Sequence, residues 1–128
     1  HDATALNAGV ERSRADPAAV AALAYHADLS GLIVLPTVTV HARHDPTVSY
    51  EADAAYATIV AAAGRSHLLL QALTDEQDHS RLQDATYTTV LQVLEHWLDT
   101  GEKPAPSAFG ETCGRPSQPH DACRFMTP

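Results

Sequence analysis

A carboxylate and an imidazole stand at corresponding places in two successive stretches of this chain. Asp45 lies just beyond the apolar run Thr37-Val38-Thr39-Val40-His41, after Ala42-Arg43-His44. His79 lies beyond a second run, His67-Leu68-Leu69-Leu70-Gln71, within Leu73-Thr74-Asp75-Glu76-Gln77-Asp78-His79-Ser80. An imidazole oriented by a carboxylate can take a proton from a nucleophile and hand it to a leaving group. That chemistry needs both side chains on neighbouring loops held by rigid elements, and the carboxyl edge of a parallel sheet is where such groups gather. From the residues alone, Asp45-Pro46 is equally a turn former. His79, next to Asp78, reads by itself as a surface histidine near the start of a helix, and only a pairing with Asp45 would give it a catalytic role.

Other residues compete for attention. His41 and His44 beside Asp45 have the donor types of a zinc site, but no further ligand follows at metal spacing. Asp75, Glu76 and Asp78 form an acidic run that could meet calcium, but a solvated loop is the preferred account of it. Neither metal nor cofactor is expected. His26, His67, His96 and His120 have no motif around them. Trp97 and Tyr87 read as packing residues.

Elements must hold Asp45 and His79 in place. Asp16-Pro17 is a helix start, with Asp as N-cap and Pro in the first turn, and predicts a short alanine-rich helix over 18–27. Residues 1–15 carry little pattern and read as loop. Pro36 opens a strand, since a proline inside one would break its pairing. Thr37 to His41 is that strand, apolar enough to be buried on both faces. Ala52, Ala55, Tyr56, Ile59, Val60 and Ala63 recur at helical spacing, so a helix is expected over 51–63, ended by Gly64. Ser66 to Ala72 is the second strand. The helix between the strands makes their connection long enough for a parallel crossover. Asp78 or Ser80 then caps a helix whose stripe of Tyr87, Val90, Leu91, Leu94, Trp97 and Leu98 should lie on the sheet, with Gly101 closing it. From Lys103 onward, Pro104, Pro106, Pro116, Pro119 and Pro128 predict an irregular tail. The domain reading is therefore 1–102 for the ordered part and 103–128 for the tail.

Two parallel strands that are apolar on both faces need neighbours. The expected fold class is α/β, with about two strands and flanking helices forming one edge of a larger parallel sheet. Such a unit is incomplete on its own and needs either an upstream segment of the same precursor or a second chain.

The run from Pro36 to Val48 resembles the acid-bearing strand and loop of the α/β-hydrolase superfamily, with Ala42 where glycine is usual. The stretch ending in Asp78-His79-Ser80 is similar to that family's terminal strand, histidine loop and last helix. The likeness covers about residues 30–100 and keeps the order acid, then histidine. It implies a serine hydrolase of esterase or peptidase type, with Asp45 as triad acid and His79 as general base, acting on a small ester or amide. The family's Gly-x-Ser-x-Gly elbow has no match here. Gly64-Arg65-Ser66-His67-Leu68 lacks the second glycine and follows Asp45 instead of preceding it. The nucleophile is expected on the missing segment or partner chain. A binding or structural module that keeps the fold without the chemistry is the alternative.

Composition sets the outer bounds. The 128 residues are 45% hydrophobic with a formal charge of -8, which disfavours a nucleic-acid partner. Mean hydropathy is -0.18, and no apolar run reaches the ~18 residues that would span a bilayer. His1-Asp2-Ala3 is not a translation start, so a processed or excerpted chain is expected. Cys113 and Cys123, close together in the tail and outside any Cys-x-x-Cys, predict a disulfide. That pairing points to a secreted or periplasmic setting.

Overall fold

The computed structural model describes residues 3–114 and 123–126. The expectations for His120 and for Pro116, Pro119 and Pro128 lie outside these. The chain is a mixed α/β structure. Helices α1 (Ala3–Gly9) and α2 (Pro17–Ala27) come first, followed by strand β1 (Thr37–Ala42), helix α3 (Glu51–Ala62) and strand β2 (Leu69–Thr74). Helices α4 (Asp84–Thr100) and α5 (Ala108–Cys113) complete the described elements.

The two strands pair in parallel, with Thr37 opposite Leu69 and Ala42 opposite Thr74. Strand alternation then assigns the faces. Leu70 and Ala72 join Val93, Trp97 and Phe109 in the core, with Val38, Val40, Val90 and Leu94 packed against it. The intervening Gln71 faces α3, donating from Nε2 to the Asp53 carbonyl at 3.1 Å. Helix α3 thus covers one face of the sheet, and α4 and α5 cover the other. Gly31 is buried at φ 67°, and a Cβ there would stand 2.5 Å from the Ile59 carbonyl oxygen. Only glycine lets the segment before β1 pass this close to α3.

Several local expectations hold. Asp16 Oδ1 accepts the Ala18 and Ala19 N–H groups, at 2.8 and 3.0 Å. Gly64, at φ 70°, follows α3 where a left-handed residue was expected.

Other expectations are corrected. Residues 3–9 form a helix, not a loop; it buries none of its side chains, so apolar periodicity could not announce it. Ser66 to Leu68 make a 3-10 turn, and the second strand starts at Leu69 and runs on to Thr74. Helix α4 begins at Asp84, so neither Asp78 nor Ser80 caps it. Its buried face is Ala85, Thr86, Thr89, Val93 and Trp97, while Tyr87, Leu91 and Leu98 are exposed. Thr86 and Thr89 are fully buried there, which a stripe drawn from apolar residues alone does not see. On α3, Ala52 and Ala55 are exposed, and the covered set is Asp53, Tyr56, Ala57, Ile59 and Val60, with Ala63 partly covered just past the helix end.

The expected irregular tail is also corrected. Helix α5 lies within it, and Phe125 forms an antiparallel bridge with Thr74. Asp75 N–H donates to the Arg124 carbonyl at 2.8 Å and Met126 N–H to the Leu73 carbonyl at 2.9 Å. Phe125 stacks on Phe109, 5.3 Å between centroids. The Cys113–Cys123 disulfide is formed and ties α5 to this segment.

The carboxyl edge of the sheet and the Asp45–His79 pair

Parallel pairing brings the ends of β1 and β2 to the same edge, and two more bonds carry the ladder past the strands. Arg43 N–H donates to the Thr74 carbonyl at 2.9 Å, and His44 N–H donates to the Glu76 carbonyl at 3.2 Å. The loops that follow are therefore held side by side before any side chain acts.

Asp45 sits in the first loop with its side chain 3% exposed. Its two oxygens are divided between the turn and the His79 ring. Oδ1 accepts the backbone N–H groups of Thr47 at 2.7 Å and Val48 at 2.9 Å. This is the turn that Asp-Pro predicted, with Pro46 having no N–H to satisfy. Oδ2 accepts from Nδ1 of His79 at 2.7 Å. The expected contact between the two residues is made, within the 2.6–3.2 Å range needed for proton-transfer chemistry.

Desolvation of the buried carboxyl raises its pKa. The N–H of Val48, the His79 ring and the N–H of Thr47 together outweigh it and hold Asp45 down to about 2. Asp45 is thus a carboxylate at neutral pH, able only to accept. The proton in its bond to His79 belongs to Nδ1, which leaves the Nε2 lone pair of a neutral ring unoccupied. The His79 side chain is 48% exposed, and Asp45 holds its only hydrogen bond among the described residues.

His41 supports this loop from beneath. Its Nε2–H donates to the Val48 carbonyl at 3.1 Å and stands 3.4 Å from Asp45 Oδ2. Its Nδ1 lies 3.3 Å from Asp53 Oδ2. The ring therefore braces the same peptide whose N–H holds Asp45, a role that the strand pattern did not signal. Among the described residues no cluster of three or more His, Cys, Asp or Glu could hold a metal ion. His44 instead faces Asp75 at 3.1 Å, in a pair whose side chains are both more than half exposed. Such solvent-screened pairs contribute little.

The second loop, between β2 and α4, has no regular structure over 77–82 apart from bends. The acidic run expected to be solvated contains a buried member: Glu76 is 6% exposed. Its Oε1 accepts the Gln83 N–H at 2.6 Å, and its Oε2 lies 3.5 Å from the Thr86 hydroxyl. Tyr87, expected to pack, instead reaches back over this loop. Its hydroxyl donates to the Ser80 carbonyl at 3.1 Å and accepts from Leu82 N–H at 3.3 Å. No sequence signal marks either contact, because both depend on where the loop folds.

Ser66 lies at the other end of the sheet, in the turn that leads into β2, where its carbonyl accepts from Lys103 Nζ at 2.9 Å. Six strand residues at ~3.3 Å each put it roughly 20 Å from the Asp45–His79 edge, so it cannot serve that pair. Among the described residues no serine hydroxyl is hydrogen-bonded to His79, and Cys113 and Cys123 are joined to each other. No described helix is long and apolar enough to cross a membrane. Comparison with family models, with characterised proteins and with solved structures yields no match to the chain.

Proposed function

We propose that this chain is the acid-and-histidine part of an α/β-hydrolase-type serine hydrolase and works with a polypeptide segment that carries the nucleophile. One observation carries the reading: a buried, ionised Asp45 on one parallel strand end orients an accessible His79 on the next, through a 2.7 Å bond to Nδ1. Chain order and strand context agree with the resemblance drawn from Pro36 to Val48 and from Asp78 to Ser80. The sheet geometry supports it too. The outer edge of β2 is partly covered by 124–126, whereas no strand pairs with the outer edge of β1 among the described residues. Further strands would therefore add beside β1.

In this reading Nε2 of His79 removes the proton of a serine hydroxyl as the serine oxygen bonds to an ester or amide carbon. Asp45 holds the ring in the required tautomer and stabilises the imidazolium. The imidazolium then gives its proton to the leaving group as the carbon–leaving-group bond breaks. Water repeats the cycle on the acyl-enzyme, with His79 again as base, and frees the acid and the serine. The Cys113–Cys123 disulfide fits an oxidising, extracytoplasmic setting for this hydrolase.

A fluorophosphonate probe applied to the assembly that contains this chain tests the reading. The probe should label a serine on the partner segment, and His79→Ala in this chain should remove most of that labelling. Labelling indifferent to His79, or none at all, would overturn the proposal and leave the binding-module alternative.

A further inference from the structure

His79 has a weakness as a base: it sits on a loop without regular structure, half exposed, with one hydrogen bond among the described residues to fix it. The precision needed for proton transfer must come from the loop. Two side chains supply it. The Glu76 carboxylate closes the loop across its base by accepting the Gln83 N–H at 2.6 Å. The Glu76 carbonyl, through His44 N–H at 3.2 Å, ties the same residue to the Asp45 loop. From α4, the Tyr87 hydroxyl grips both sides of the loop's last turn, at Ser80 and Leu82.

We infer that Glu76 and Tyr87 are positioning residues that hold the 77–82 loop so that Nδ1 of His79 meets Asp45. The assignment rests on the hydrolase reading for its effect on rate, but not for its effect on the ring. The N-cap residue of α4, Gln83, makes no side-chain cap. Glu76 instead accepts the N–H of Gln83 itself, which places its carboxyl group at the helix end where the dipole favours an acidic group. Tyr87 is 43% exposed and has no place in the core cluster. Its hydroxyl joins the start of α4 to the residues directly after His79. Neither group touches the ring, so both act through the backbone. A displacement of about 1 Å at a catalytic group can cost on the order of 10²-fold in rate, which sets the scale of the expected effect.

The experiment uses the full assembly with Tyr87→Phe, Glu76→Ala and Glu76→Gln. Long-range 1H–15N correlation of the His79 ring reports its tautomer without any turnover. The unaltered assembly should show the Nδ1–H form. Tyr87→Phe and Glu76→Ala should move the ring toward the tautomer mixture of a free imidazole and lower kcat by about 10- to 100-fold with little change in KM. Glu76→Gln keeps an oxygen able to accept from Gln83 N–H and should preserve both the tautomer and most of kcat. Tyr87→Phe deletes one hydroxyl from a side chain outside the core, so it reads out even where Glu76→Ala does not fold. An unchanged tautomer in Tyr87→Phe, or a Glu76→Gln ring as disordered as that of Glu76→Ala, overturns the inference. An assembly without hydrolysis but with the tautomer shifts intact sinks the hydrolase reading and leaves the positioning role standing.

Discussion

Asp45 meets His79 with one carboxylate oxygen only, Oδ2 to Nδ1 at 2.7 Å, while its other oxygen is committed to the turn that carries it. The two readings open at the level of sequence, turn former and triad acid, therefore describe different atoms of one side chain. This division makes Asp45→Asn an informative change. The amide oxygen can keep the bonds from Thr47 and Val48, which turns the amide NH₂ toward His79. A donor in that position forces Nδ1 to accept and moves the ring proton to Nε2, the tautomer that cannot act as a base. Steady-state kinetics on the assembly should show Asp45→Asn losing on the order of 10³-fold or more in kcat with the circular dichroism spectrum unchanged. His79→Ala should lose a similar factor. Asp78→Asn should stay near full activity, since it has no bond to the ring among the described residues. Retained turnover in either Asp45→Asn or His79→Ala would refute the roles assigned to the pair.

The same carboxylate predicts how the protein responds to acid. Asp45 is held at about 2 in the fold, below the ~3.9 of an unfolded aspartate. A depressed carboxyl stabilises the folded state fully above its unfolded pKa, and this contribution is lost as pH falls through the folded value. The window is therefore about pH 4 down to about 2. Glu51, whose carboxyl is also lowered, first of all by the Ser49 hydroxyl, adds in the same direction. The contribution of Asp45 must accordingly be read as a difference. Denaturant unfolding of the parent and of Asp45→Asn should show a stability gap that is constant above pH 4 and narrows toward pH 2. A gap that widens as pH falls would contradict the assignment.

The parts of the structure that depend on local chemistry were legible in the sequence. Asp16-Pro17, Gly64 and Gly101 mark helix ends through their own backbone and side-chain preferences. Asp45 and His79 stood out because each follows an apolar strand. What escaped was decided by tertiary placement. Thr86 and Thr89 turn inward while Leu91 and Leu98 are exposed, an arrangement fixed by how α4 docks and not by apolar spacing. Glu76 read as solvated because it stands in an acidic run with Asp75 and Asp78, which are indeed exposed. Its burial follows from the return of the chain at Gln83. Phe109 and Phe125 sat in a proline-rich stretch that reads as irregular, yet they stack under the edge of β2.

That last arrangement changes what the disulfide is expected to do. Cys113 is fully buried at the end of α5, and Cys123 leads directly into the 124–126 segment beside β2. Reduction should therefore loosen a covered strand edge as well as a chain end. The bridged residues are ten positions apart, and closing a loop of this order is worth about 3 kcal/mol in the chain-entropy account. Intact mass after alkylation should show no free thiol until reductant is added. Reduced protein should unfold with a loss of up to about 3 kcal/mol and faster amide exchange at Asp75 and Met126. Two thiols that alkylate without reductant would remove both the bridge and the argument for an oxidising compartment.

The last prediction concerns the edge left open. Leu32, Val34 and Leu35, in the segment leading into β1, are 61%, 76% and 69% exposed. No strand pairs with the outer edge of β1 among the described residues. An unpaired strand beside exposed apolar side chains is a template for association. Two hydrogen-bonded strands are also at the margin of what is stable without further pairing. The 128-residue chain by itself should bind a hydrophobic dye, sediment as a mixture of oligomers and melt without a sharp transition. Adding the nucleophile-bearing segment should abolish dye binding and restore a cooperative melt, because the new strand would satisfy the β1 edge and cover Leu32, Val34 and Leu35 together. A monomer in sedimentation that unfolds in one sharp transition without any partner would sink the claim that the sheet continues beyond β1. The Asp45–His79 pair would then have to be explained within a complete domain.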